Sequence, residues 1–348
     1  MNYISDYTYD DILEKQLGFV LNGAKNESLG TTEAFNVFTN LSNPRNRWCT
    51  SQFRKHNIFS TIAEVVWVLS GHDDMDFLTR YLPRAIDYSD DGIVWGGAYG
   101  PRLRGYAGIN RQGNRVVIDP LVKCLNKLRN NNSTRQAVIN IWDNAKEHTE
   151  ESSKDYCCNV ALNFYIRDSK LHMTVFQRSQ DIIWGSMVNY VEWTILQEVM
   201  SSILEVNLGE YNHFVTNLHL YSNMGDRANA VLLGYKQQRA AHSKESECYP
   251  SKFEIIKPGE SLLSKVGDFD ELINGLYQIG SDLYTFKRSK EILEEYLNKY
   301  PVLTTVLSVF LLHKNSPSKK IRDLLENNIS NRKGILDPRF LKAIELSK

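Results

Sequence analysis

Little in this sequence is in excess, and what it lacks narrows the field first. Lysine plus arginine number 41 and aspartate plus glutamate 41, so the formal net charge is zero. A balanced chain has no global field to recruit nucleic acid or an anionic membrane surface. The five cysteines are an odd count without regular spacing, and no CxxC pair suggests zinc. They do not look like a disulfide framework, and a reducing cytoplasm fits them best. The longest apolar run, "PVLTTVLSVFLL" at 301–312, is too short to span a bilayer and predicts a buried helix. The N-terminal "MNYISDYTYDDILEKQ" is acidic and lacks the basic and apolar regions of a signal peptide. The glycine-rich "DDGIVWGGAYGPRLRGYAG" (90–108) contains neither GxGxxG nor GKS/T, which removes a Rossmann or P-loop reading. There is no internal repeat or low-complexity tract.

What is present is a chain of 348 residues, 42% hydrophobic, able to bury a large core as one domain or two. Apolar spacing predicts amphipathic and buried helices over 9–22, 59–71, 116–129 and 185–206. Gly71 marks the end of the second, and the turn-rich "NGAKNESLGTT" (22–32) reads as a loop. Strands are predicted over 136–142, 159–166, 170–177 and 211–223, the middle pair joined as a hairpin by "RDS". Polar "RAAHSKESECYPSK" (239–252) reads as a loop, and charged helical segments follow it. The economical reading is an α/β or α+β core over 1–238 with a mostly helical C-terminal portion, 239–348, packed on it.

Chemistry-bearing side chains concentrate in "DYCCNVALNFYIRDSKLHMTVFQRSQDIIWGSMVN" (155–189). Counting inward from the hairpin turn brings Cys158 and Arg178 close across the ladder, so a guanidinium can sit beside the sulfur and favour its thiolate. Free cysteine is more often a small buried hydrophobe, and for Cys157, which alternation sends to the opposite face, that reading stands. His219 and Tyr221 share a strand face and can grip a hydroxyl, although such a pair is commonly core. Glu64 interrupts an apolar helix beside Trp67. It is either a buried acid with raised pKa or the polar edge of the helix, and the second is commoner.

The order and spacing of these groups carry more than any one of them. "CNVALNFYI", "FQRSQDIIWGSMVN" and "LHLYSN" resemble the catalytic cysteine strand, the QRS-D-G-N segment and the H-x-Y strand of the thymidylate synthase family. "FSTIAEVVWVLSG", "GGAYGPRLR" and "STRQAVINIW" are similar to its E-x-x-W-F-L helix, Y-G-x-x-W/L-R segment and S-R-R strand. The resemblance spans roughly 10–230. It implies a homodimer with a bent mixed sheet flanked by helices, transferring a one-carbon unit from methylenetetrahydrofolate to C5 of a pyrimidine nucleoside monophosphate, without metal. By the same resemblance Cys158 is the nucleophile that adds at C6, and Arg178 activates it and holds phosphate together with Arg135 and Ser179. Glu64 organises proton transfers and Tyr99 lies near the C5 proton. Asn189 reads the base edge, His219 and Tyr221 hold the ribose hydroxyl, and Asp181 with Gly185 meets the pterin.

The departures from the family pattern bear on the reaction. Pro-Cys-His is replaced by Cys157-Cys158-Asn159, and the paired phosphate arginines by Arg135 and Gln136. Ser28 falls near a further expected arginine, leaving Lys25, Arg102 or Arg104 as candidates to compensate. "PRAIDYSDD" takes the place of a tryptophan-rich stretch that excludes water, and "FLKAIELSK" that of a short apolar tail. An open, wetter site predicts that water rather than hydride meets the methylene at C5. The reading is therefore a pyrimidine nucleotide hydroxymethylase, with thymidylate synthesis and non-catalytic nucleotide binding as alternatives. Uracil and cytosine both remain open, because the Asn189 amide complements uracil and, flipped, cytosine.

Overall fold

A computed structural model of the chain describes residues 2–51, 53–54, 56–149, 152–241 and 266–348. The chain enters as strand β1 (Asn2–Asp6) and turns into helix α1 (Tyr9–Leu21). Thr8 caps that helix by accepting the Asp11 N–H, and Asp10 and Asp11 lie at its positive end. Strand β2 (Ala24–Asn26) then returns against the long β3 (Thr31–Leu41). The stretch expected as a loop over 22–32 thus holds a short edge strand. Glu33 draws it in, accepting from Asn26 and Thr31.

Helix α2 (Ile58–Leu69) starts where Asn57 accepts the N–H groups of Phe59 and Ser60, and only Ser60 and Glu64 keep partial exposure. Gly71, at φ +86°, supplies the left-handed residue that ends it. There follow α3 (Met75–Tyr81), α4 (Gly100–Arg104), the hairpin β4 (Tyr106–Ile109) and β5 (Arg115–Ile118), and α5 (Pro120–Asn130). The helix expected from 116 therefore begins four residues late. Val116–Ile118 pair with β4, Asp119 accepts the Val122 N–H, and Pro120 takes the first helical turn.

After β6 (Val138–Asn140) and α6 (Asn144–Glu147) come β7 (Asn159–Arg167) and β8 (Lys170–Asp181). Asp168 and Ser169, both at positive φ near 50°, close this hairpin as a two-residue turn. Helix α7 (Gly185–Ile203) is buried almost all round, and β9 (Asn207–Tyr221) starts before the expected 211. Helix α8 (Gly225–Ala241) takes in the first residues of the loop expected over 239–252, and the rest of that stretch lies outside the described residues. The strands form one sheet in the order β1-β3-β9-β8-β7-β6, with β2 beside β3. The β1–β3 and β8–β9 pairs are parallel and the others antiparallel, giving the expected α/β class with a mixed sheet flanked by helices.

The C-terminal helices are α9 (Val266–Gly280), α10 (Phe286–Lys299), α11 (Pro301–Ser308), α12 (Lys319–Arg332) and α13 (Pro338–Ser347). The predicted helix over 301–312 is α-helical to Ser308 and continues as a 3-10 turn, Val309–Leu312. Helices α9, α11 and α13 and that turn all pack on α2, which also packs on α7. Their apolar side chains join those of the sheet in one hydrophobic cluster. Ser347 adds a polar tie, its Oγ accepting the Ile58 N–H at 3.0 Å and donating to the His56 carbonyl at 3.0 Å.

Two outcomes follow for stability. A chain ended after residue 241 uncovers α2 and is expected to lose its single cooperative thermal transition by circular dichroism. Ser347→Ala, which removes one hydrogen-bonding hub, is expected to cost about 1 kcal/mol in urea unfolding.

Candidate active site

Cys158 lies one residue before β7, where the pairing with β8 slips. Asn159 pairs with Gln177 but Ala161 with Phe176, so Val160 is an extra residue that bulges the strand beside the thiol. Arg178, on β8, binds its backbone N–H to the Cys158 carbonyl at 3.0 Å. Its Nε donates to the Cys157 carbonyl at 2.9 Å and its Nη2 to the Tyr156 carbonyl at 2.7 Å, with the Cys158 Sγ at 3.8 Å from the same Nη2. The guanidinium lies over the Trp142 ring. The expected neighbourhood of sulfur and cation is there. Its expected result is not: burial pushes the Cys158 thiol up to about 11, against the pull of Arg178 and with Asp155 and Glu147 adding to the rise. In the free protein the sulfur is a thiol at neutral pH.

Glu64 keeps partial exposure as a residue, yet its carboxyl group has the shifted proton affinity of a buried acid. Burial, then Asp155, raises its carboxyl to about 7. Asp155 is itself raised, chiefly by burial, and its carboxylate accepts from the Trp95 indole. Gly97 passes so close that a Cβ there would meet the Asp155 carboxylate and the Cys157 amide, which requires glycine at that position. Burial holds the Tyr99 phenol far above its usual range, and Cys158, Cys157, Glu192 and Asp155 add to the effect. Tyr99 can therefore donate a proton or hydrogen bond but is no base at neutral pH.

Asn189 projects from the second turn of α7. Its Oδ1 accepts from Gln177 Nε2 at 2.9 Å, and that same Nε2 donates to Asn159 Oδ1 at 3.1 Å. Ser179 Oγ meets His219 Nδ1 at 3.3 Å, and the His219 and Tyr221 rings meet edge to face at 5.2 Å. Asp181 pairs with His219 across β8 and β9. Burial raises Asp181 and lowers His219, so both are held toward neutrality. The Asp181 Oδ1 accepts the Ile183 and Trp184 N–H groups at 2.6 Å each and so also shapes the entry to α7.

The structure thus gathers Cys158, Arg178, Asn189, Ser179, Asp181, His219 and Tyr221 around the β7–β8 bulge and the ends of β8 and β9, with Glu64 close enough to feel the charge of Asp155 and Tyr99 that of the cysteines. Gly185, the first residue of α7, reaches that group only through Asn189, whose Oδ1 lies 4.0 Å from where its Cβ would stand. Arg135 stands exposed on the loop before β6 and makes no hydrogen bond or ion pair to the group among the described residues. Two candidates for the missing phosphate cations are spent elsewhere. Arg102 is buried in an ion pair with Glu147 and donates to the Ile141 and Gly96 carbonyls, and Arg104 binds Asp119, Asp270 and the Leu69 carbonyl. Lys25 is exposed on β2.

The sequence reading missed Asp155, Trp95, Tyr88, Trp142 and Glu192. The signal for the first was the "DYCC" string, an acid three residues before the thiol. Trp95 stacks on Tyr88, inside the "PRAIDYSDD" stretch, at 5.8 Å and tilts against Trp67 at 6.3 Å, so an aromatic wall stands there without a tryptophan from that stretch. Tyr88 is half-exposed, so the wall faces solvent at one edge.

Comparison with known proteins decides the lineage of this arrangement. The family model for thymidylate synthase matches residues 8–244. The chain belongs to the thymidylate synthase family. It is 40% identical over 214 residues to the deoxyuridylate hydroxymethyltransferase of Delftia phage PhiW-14, covering 58% of this chain and 57% of that protein. Over 190 residues it is 33% identical to the protein of the same name from Bacillus phage SP01, covering 53% of this chain and 49% of that one. Against that of Pseudomonas phage M6 it is 34% identical over 173 residues, covering 49% and 46%. The chain spans about half the length of the curated relatives it matches. Among the described residues no helix is long and apolar enough to cross a membrane, and no group of three or more His, Cys, Asp or Glu side chains is arranged to hold a metal ion.

The raised thiol gives a direct test. Iodoacetamide labelling of Cys158, with Cys158→Ser as blank, is expected to be slow at neutral pH and to accelerate toward about 11 as the thiolate forms. Arg178→Gln removes the opposing cation and is expected to move that rise to still higher pH.

Proposed function

We propose that this protein is a deoxyuridylate C5-hydroxymethyltransferase that uses methylenetetrahydrofolate as its one-carbon donor and acts as a cytoplasmic homodimer. The observation that carries the reading is the enclosed set of Cys158, Arg178, Glu64, Tyr99 and Asn189 on the family's fold, and the names of its phage relatives support the choice of uracil. In this reading residues 1–238 form the catalytic core and 239–348 a C-terminal portion whose helices α9, α11 and α13 brace α2.

The chemistry begins when the Cys158 sulfur adds to C6 of the pyrimidine, making C5 nucleophilic. Because the thiol holds its proton in the free protein, thiolate formation accompanies nucleotide binding beside Arg178. C5 then takes the one-carbon unit and loses its proton, and the carbon–nitrogen bond to the folate breaks to leave an exocyclic methylene. Water adds to that methylene, its proton passes to the Glu64 carboxylate, and the electron pair moves into the ring. Collapse of the ring enolate expels the Cys158 thiolate and restores the C5–C6 double bond. Two protons leave, one from C5 and one from water, and two end on the folate nitrogens, so tetrahydrofolate is released and nothing is oxidised. Asn189 pairs with the uracil N3–H and O4, Arg178 and Ser179 bind phosphate, and His219 and Tyr221 hold the ribose hydroxyl. Asp181 and Gly185 meet the pterin. Arg178 Nη1, without a hydrogen bond among the described residues, is its group for phosphate, and the exposed Arg135 serves the partner subunit's site.

The Tyr88–Trp95 stack favours one second reading, a water-excluding site and reductive methylation of deoxyuridylate. The two readings differ in product. With C5-tritiated dUMP and methylenetetrahydrofolate, tritium release without absorbance gain at 340 nm is expected, and Cys158→Ala is expected to abolish it. Dihydrofolate absorbance would establish methylation instead, and no release with dUMP, dCMP, UMP or CMP would sink both. Glu64 accepts a proton only when ionised, so turnover is expected to rise with pH through about 7 and to lose that limb in Glu64→Gln. Asn189→Asp is expected to shift preference toward dCMP, since a protonated carboxyl group donates its O–H to N3 and accepts from the amino group at its carbonyl oxygen.

A further inference from the structure

Glu192 has no part in the reaction as derived above. It lies on α7 three residues after Asn189, one helical turn away and on the same face. Its side chain is fully buried, and neither carboxyl oxygen has a hydrogen-bond partner of good geometry among the described residues. A carboxyl group in that state is expensive to keep and calls for a reason. Burial raises its proton affinity far above the usual range; Glu64 adds to the rise and the Asn189 amide opposes it. The groups that face it come from every side. Glu64 stands on α2, which packs on α7; Tyr99 precedes α4; and Tyr211 stands on β9. The Tyr99 ring also lies against Trp193, the next residue on α7, at 5.7 Å. No cation is among these neighbours.

We propose that Glu192 is a positioning residue that works through Glu64, the two carboxyl groups sharing protons where helices α2 and α7 pack together. Two carboxyl groups without a cation cannot both ionise there, so they titrate as a pair and hold one proton across the working range. Glu64, nearer its ionisation, is the member that takes the proton from water. Glu192 remains protonated beneath it and beneath Asn189, and it keeps a transferable proton in the pocket when Glu64 is ionised. The hydroxymethylation scheme needs such alternation, since protons leave C5 and water and arrive on the folate nitrogens. This inference rests on that functional reading for its catalytic part, while the protonation rests on burial, unpartnered carboxyl oxygens and the facing Glu64.

The test uses the full chain with Glu192→Gln, which keeps shape and neutrality but has no ionisable proton, and Glu192→Met, which keeps volume if the amide perturbs folding. Thermal stability against pH reads protonation without activity. An acid whose folded-state affinity is raised costs the fold stability as pH rises above its unfolded value, because the unfolded chain releases that proton first. Relative to wild type, both variants are therefore expected to gain in melting temperature from pH 6 to pH 9, roughly as the linkage relation requires. Turnover to the hydroxymethyl product is expected to fall roughly ten- to a hundredfold in both, with KM for dUMP unchanged and the alkaline limb of the pH profile lost. A melting difference that does not grow with pH overturns the protonated Glu192, whatever the activity. An active wild type with Glu192→Gln at full turnover and an unaltered profile overturns the role of Glu192 alone. A wild type inactive on every nucleotide brings down the functional reading first, and this role with it.

Discussion

Withdrawal of helix α2 from water is the constraint on which the rest depends. The helix packs on α7, and also on α9, α11, α13 and the Val309–Leu312 turn. A helix so enclosed can carry a carboxyl group only at a cost in solvation, and that cost is what lifts Glu64 to about 7. The same dryness lifts Asp155, Tyr99, Cys158 and Glu192. The C-terminal helices are thus part of the electrostatics of the site although none of them contributes a group to it.

The thiol is the point where two effects meet and magnitude decides. Arg178 lies close to the sulfur, which by itself favours thiolate, but its Nε and Nη2 are committed to the carbonyls of Tyr156 and Cys157. Burial, with Asp155 and Glu147 nearby, outweighs that single cation. A resting thiol is protected from oxidation and stray alkylation. Arg102 and Arg104 are likewise committed, to Glu147, Asp119 and Asp270.

Much of the site was legible because its groups are close in sequence and period. A hairpin with a two-residue turn brings Cys158 to Arg178 by counting alone, and strand alternation puts His219 beside Tyr221. The helix that carries Glu64 announces itself by its apolar run. Asp155 was marked only by its place three residues before Cys158, and Glu192 not at all, since an acid in a mixed string carries no mark of what will cover it. The 116–129 stretch misled for a local reason, because apolar spacing over Val116–Ile118 suits a hairpin strand as well as a helix until Asp119 and Pro120 are weighed as a start signal.

By itself the sequence determined the family, the mixed sheet with its helices, and the neighbourhood of Cys158 and Arg178 across one hairpin. These follow from residue type at short range, where chain geometry leaves few choices. Only the tertiary structure decided the protonation states, because proton affinity depends on which atoms exclude water and which charges face one another across elements far apart in the chain. Glu64 and Glu192 are separated by more than a hundred residues, and it is the packing of α2 on α7 that makes them neighbours.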